Sequence, residues 1–133
     1  MATSSNLSPR FPDLESFLDL MTPWPGSWAG FPEDIPVGQR LVEELRPFVA
    51  SLHSKSLSPK TIRRHLDNLW VIGGEIIRKV NASPSLRKSP PRCLLLDAVA
   101  YGYAPFVPDA SESQQQSCDS TARRLLAFLS SPV

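Results

Sequence analysis

The stretch LSPKTIRRHLDNLWVIGGEIIRKV, residues 57–80, decides the fold. Ser58 is a good helix N-cap, and Pro59 suits the first turn, where its missing N–H costs nothing. Beyond it Ile62, Leu66, Leu69, Trp70, Gly73, Ile76, Ile77 and Val80 recur at steps of three and four, the signature of one buried helix face. This spacing predicts a helix to about Val80. Lys60, Arg63, Arg64, Asp67 and Asn68 then point to solvent, and His65 lies off the apolar stripe beside two arginines. A helix N-terminus favours acids, yet the first two turns hold Lys60, Arg63, Arg64 and His65, with no acid before Asp67. Gly73-Gly74 costs an isolated helix about 2 kcal/mol relative to two alanines. Close approach of another helix would offset that cost, and a hinge is the other reading.

Upstream, Leu41, Leu45, Phe48, Val49 and Leu52 predict a helix from Val37 or Gly38 to about Ser54, kinked or divided where Pro47 removes a backbone hydrogen bond. The preceding TPWPGSWAGFPEDIPVG, residues 22–38, has no helical or alternating period. It reads as an ordered loop whose Trp24, Trp28 and Phe31 plug a small core, or else offer a contact surface. A short helix from about Pro12 to Met21 places Leu14, Phe17, Leu18 and Met21 on one face, and residues 1–8 read as a frayed tail.

Downstream, NASPSLRKSPPR (81–92) reads as a basic Pro/Ser linker without the glycine cradle of a phosphate loop. Residues 93–107 read as a helix started by Pro91, then an extended stretch from Gly102. Ser111 and Gln114 form a capping box for a last helix over about 112–130, with Cys118, Ala122, Leu125 and Leu129 inward. The fold class is therefore all-α: residues 1–133 make one domain, a small bundle of four to five helices with a Pro/Trp-rich ordered loop.

Composition narrows the function classes. No apolar run approaches the ~20 residues of a membrane span, and the N-terminus lacks the pattern of a secretory signal. Cys93 and Cys118 are isolated thiols that read as small, semi-buried hydrophobes, which fits a reducing, cytoplasmic setting. With His53 and His65 the only histidines, no metal site is expected. Nucleophile elbows, nucleotide fingerprints and paired acids are missing too, so the expectation is a non-enzymatic protein without cofactor.

The charge distribution is more telling than the total of +1. From His53 to Arg92 there are nine Lys/Arg (Lys55, Lys60, Arg63, Arg64, Arg78, Lys79, Arg87, Lys88, Arg92) against Asp67 and Glu75, a net of +7. The rest has five basic and eleven acidic residues, a net of −6. Such segregation allows a local field; a solvated face balanced by intramolecular acids is the plainer reading.

Residues VEELRPFVASLHSKSLSPKTIRRHLDNLWVIGGEI contain Leu57, Ser58, Thr61, Ile62, Arg64, Leu66, Leu69 and Trp70. In this arrangement the segment resembles the N-terminal, SAM-like core-binding domain of tyrosine recombinases and phage integrases. There an apolar helix runs into a Leu-Ser-x-x-Thr turn and a long helix. The likeness spans residues 40–80, about a third of the chain. It implies a helical bundle that clasps double-stranded DNA through backbone contacts, and the expected setting is a bacterial or mobile-element regulator or accessory factor. The 53 residues after Val80 are too few for that family's catalytic domain, so recombinase activity is not implied. LSPKTIRRHLDNL is also similar to the recognition helix of LuxR-type regulators, although the preceding segment matches their scaffold helix poorly. The expected nucleic-acid contacts are Lys55, Lys60, Arg63, Arg64, His65 and Asn68. The rival expectation is a protein-interaction module, an inhibitor or assembly adaptor, whose basic face meets an acidic partner or a second copy of the chain.

Overall fold

The computed structural model describes residues 13–131; the expected tail over 1–8 and the Pro12 helix start lie outside them. The elements run α1 (Leu14–Asp19), α2 (Trp24–Trp28), α3 (Asp34–Ser54), α4 (Pro59–Ala82), a 3-10 turn (Pro84–Lys88), α5 (Pro91–Ala98) and α6 (Glu112–Ser130). The architecture is an all-α bundle, without strands among the described residues. Helix α4 is its centre. It packs against α2, α3, α5 and α6, and its Ile62, Leu66, Leu69, Ile72, Ile76, Ile77 and Val80 are buried.

Local chemistry starts each long helix. Ser58 Oγ accepts from the Thr61 amide at 3.1 Å and begins α4. Ser111 and Gln114 close a reciprocal capping box on α6, whose Cys118, Ala122, Leu125 and Leu129 all face inward. Helix α3 begins at Asp34, earlier than the apolar spacing indicates. Its Asp34 carboxylate is fully buried and accepts from the amides of Gly30 and Phe31 at 2.9 and 3.0 Å, which folds the preceding turn onto the helix start. Pro47 neither divides nor ends α3. It sits on the exposed side, where water can reach the carbonyl that the missing N–H leaves free.

The Pro/Trp segment differs most from its expected form. Residues 24–28 form a helical turn that delivers Trp24 and Trp28 to the core, with ring centroids 5.7 Å apart. Trp28 lies against Gly73, where any Cβ would overlap its six-membered ring, and its indole N–H donates to the Trp70 carbonyl at 2.9 Å. Close approach, by a single indole, therefore accounts for Gly73. The neighbouring Trp70 departs from its expected core position. With Trp28 filling the space beside the glycines, Trp70 stays 43% exposed at the stripe's edge and donates to Ser27 Oγ at 2.9 Å.

The basic linker folds back on the bundle. Arg87 reaches Asp34 at 3.3 Å and Asn81 at 3.0 Å, and Arg40 donates to the Arg87 carbonyl at 3.0 Å. Burial alone would raise the Asp34 carboxyl, but the two loop amides, then Arg87 and Asn81, hold it below its ordinary value.

Two adjacent alanine substitutions separate packing from helix propensity. At Gly74 a Cβ meets Trp28 only at an ordinary 3.5 Å, so Gly74→Ala should be neutral or stabilise by up to ~1 kcal/mol. Gly73→Ala should destabilise by ~1–3 kcal/mol, because overpacking exceeds the propensity gained. Urea unfolding of both variants checks this; equal stabilisation by the two would contradict the Trp28 contact.

Candidate nucleic-acid interface

The N-terminal end of α4 and its neighbours carry the expected basic face. Lys55 caps the end of α3, and Lys60, Arg63 and Arg64 lie on the first two turns of α4; all four are exposed. Helix α6 adds a cation that no sequence pattern places there. Arg124 shares a shallow depression of about 300 Å³ with Lys55, Phe48 and Phe128, and both it and Arg64 are close enough to act on the His65 charge.

These cations differ from the later arginines of the basic segment in their partners. Arg78 pairs with Glu75 at 3.6 Å, Arg87 with Asp34 at 3.3 Å and Arg92 with Glu44 at 3.8 Å. Among the described residues, Lys55, Lys60, Arg63, Arg64 and Arg124 make no ion pair. Intramolecular neutralisation thus reaches the three arginines Arg78, Arg87 and Arg92 of the +7 segment and none of the cations from Lys55 to Arg64.

His65 and Asn68 correct the sequence expectation. Both are buried, because α6 packs on the side of α4 that they occupy. His65 Nδ1 lies 2.7 Å from Thr121 Oγ1. Asn68 Nδ2 donates to Thr121 Oγ1 at 2.9 Å and to the Ser117 carbonyl and hydroxyl at 3.0 Å each, while the Cys118 thiol donates to its Oδ1 at 3.4 Å. Neither side chain is available to a phosphate. Their role is to fasten α4 to α6. The seam reaches the surface at Arg64, which donates to the same Ser117 hydroxyl at 3.0 Å. One rotamer-rich arginine is therefore held in place before any ligand arrives.

Burial, then the charges of Arg64 and Arg124, pushes the His65 imidazole down to about 4 from an ordinary 6.5. Its Nε2 is buried without a hydrogen-bond partner, which reinforces the neutral form. Cys118 is buried within the seam and its thiol is raised, by burial and then by Asp119; Cys93 is exposed. Among the described residues no three His, Cys, Asp or Glu side chains converge as metal ligands, and no helix is long and apolar enough to cross a membrane.

No protein-family model, curated protein or solved structure matches the chain.

The neutral His65 has a consequence for stability. Below pH 6.5 the unfolded chain takes up a proton that the folded chain refuses until about pH 4. Stability from this group is therefore complete above pH 6.5 and is lost as pH falls to about 4, by roughly 1.4 kcal/mol per unit and up to ~3 kcal/mol. Asp34, with its lowered carboxyl, adds a separate loss only below its ordinary value of 3.8. Urea titrations between pH 7 and 4.5 should show the His65 slope in wild type and a flatter one in His65→Gln. Equal slopes would contradict the buried neutral imidazole.

Proposed function

We propose that the protein binds double-stranded DNA through backbone phosphates and acts without enzymatic chemistry, as a regulator or accessory factor of the kind the core-binding likeness implies. The observation that carries this reading is a set of cations around the N-terminal end of α4, in which Lys60, Arg63 and Arg64 on its first two turns, Lys55 just past α3 and Arg124 on α6 stand without an acidic partner among the described residues. Like charges held together repel, and an anionic ligand turns that repulsion into attraction. A duplex presents one negative charge per ~1.7 Å of axis, dense enough to meet several of these side chains at once. Arg64, already tied to Ser117, loses little freedom on binding. Contacts of this type supply affinity and orientation and do not read bases.

Replacing Lys60, Arg63 and Arg64 together with Gln should leave the helical circular dichroism unchanged, since all three are exposed. Each cation that meets a phosphate contributes roughly 0.9 to the slope of log affinity against log salt, so the triple variant should be shallower by ~2–3. The weakening should be equal on unrelated duplexes. Undetectable binding by the wild type at low salt would overturn the proposal in favour of an acidic protein partner.

A further inference from the structure

Among the described residues, the three most exposed large rings lie on one loop between α5 and α6. Tyr101 is 89% exposed, Tyr103 63% and Phe106 75%. The loop beneath them is fastened. The Ala104 amide donates to Asp119 Oδ1 at 2.9 Å, the Val107 amide to Gln115 Oε1 at 3.1 Å, and Gln115 Nε2 to the Pro105 carbonyl at 3.2 Å. Gly102 turns the chain at φ 78°, a left-handed conformation that strains other residues, and is buried with Arg123 beside it. Solvent-facing rings on an ordered backbone are the kind of preorganised anchor that interfaces use.

Beside this loop is the groove between α4, the 3-10 turn and α5, a cavity of about 590 Å³ with Ile76, Leu86, Leu94, Ala98 and Pro105 in its lining. The α4 wall carries Lys79 and the α5 wall Asp97. Among the described residues neither makes an ion pair, whereas Arg78 on the same wall is paired with Glu75. The patch therefore holds a projecting aromatic knob, an apolar hole next to it, one unpaired cation and one unpaired anion.

We infer that this face binds a second copy of the chain about a two-fold axis, the aromatic loop of each protomer entering the groove of the other. A two-fold contact requires a patch to complement itself, residue i meeting j while j meets i. Adjacent knob and hole, with Lys79 and Asp97 on opposite walls, meet that requirement; a uniformly acidic or basic partner would leave one of the two charges opposed by its own sign. The area is adequate. At ~150–250 Å² per ring, and allowing for present exposure, the six rings of a pair would bury about 900 Å², over half of the ~1,600 Å² of a standard interface. The groove walls supply the remainder. The basic face takes no part in this contact, so the inference stands apart from nucleic-acid binding.

Sedimentation of the full chain without nucleic acid tests it. Wild type should show a concentration-dependent dimer. Tyr101→Ser with Phe106→Ser should keep the helical spectrum, because both rings are solvent-facing, and lose at least ~30-fold in self-affinity per ring if each is a hot spot. Asp97→Lys and Lys79→Asp should each be monomeric alone and should form a heterodimer when mixed, since the mixture restores both opposite-charge contacts. Wild type that stays monomeric at every concentration overturns the inference. So does a dimer that survives removal of the rings, or a charge-variant mixture that fails to associate.

Discussion

Trp28 lying against Gly73 is the contact on which the arrangement of this bundle depends. An indole can rest on a helix backbone only where a side chain is missing, and its N–H must find an acceptor; the Trp70 carbonyl provides one. With the Trp70 indole donating back to Ser27 Oγ, this ring fixes α2 against α4, and it also lies against Gly38 near the start of α3. On another side of α4 the seam of His65, Asn68, Ser117 and Thr121 fastens α6, while α3 covers the apolar stripe. What remains of the first turns of α4 is the strip bearing Lys60, Arg63, Arg64 and Asp67. Its exposure follows from α3 and α6 packing on the other sides of those turns.

Much of this is legible in the sequence because it depends on short-range chemistry. The Ser58 cap, the Ser111/Gln114 capping box and the three-and-four spacing each concern residues within one or two turns, and all recur in the structure. Residues 24–28 carry no such signal, because a five-residue helical turn containing Pro25 and Gly26 has no room to display a period. His65 and Asn68 read as exposed for a different reason. The apolar stripe alone marks the side that α3 covers, and a second partner widens the buried arc with polar residues that satisfy one another. Ile72, seven residues beyond His65, is the available signal that burial extends around that side. Arg124 joins the basic face only through the pairing of α4 with α6, and Arg87 finds Asp34 across 53 residues of chain. Neither relation has a local signature.

The two proposed surfaces sit toward opposite ends of one helix. Lys60 and Lys79 are nineteen positions apart on α4, about 28 Å at the rise of an α-helix. That is several times the ~8 Å over which charges act through physiological salt. Charge at the aromatic patch therefore has little leverage on the basic face, and a protein paired through the patch keeps both of its basic faces free. The same separation explains how a chain of net charge +1 can carry a locally strong field: neutralisation by Glu75, Asp34 and Glu44 is confined to Arg78, Arg87 and Arg92.

The most direct measurement of the central claim, that the unpaired cations meet nucleic-acid phosphate, is an amide and arginine side-chain NMR map of the labelled protein titrated with a short duplex. The account predicts shifts concentrated at Lys55, over residues 60–68 and around Ser117 and Arg124, with the Arg64 guanidinium among the most affected. Residues of α2 and the aromatic loop should stay unmoved by the duplex. Shifts centred away from the basic face, or a spectrum that the duplex leaves unchanged, would contradict it.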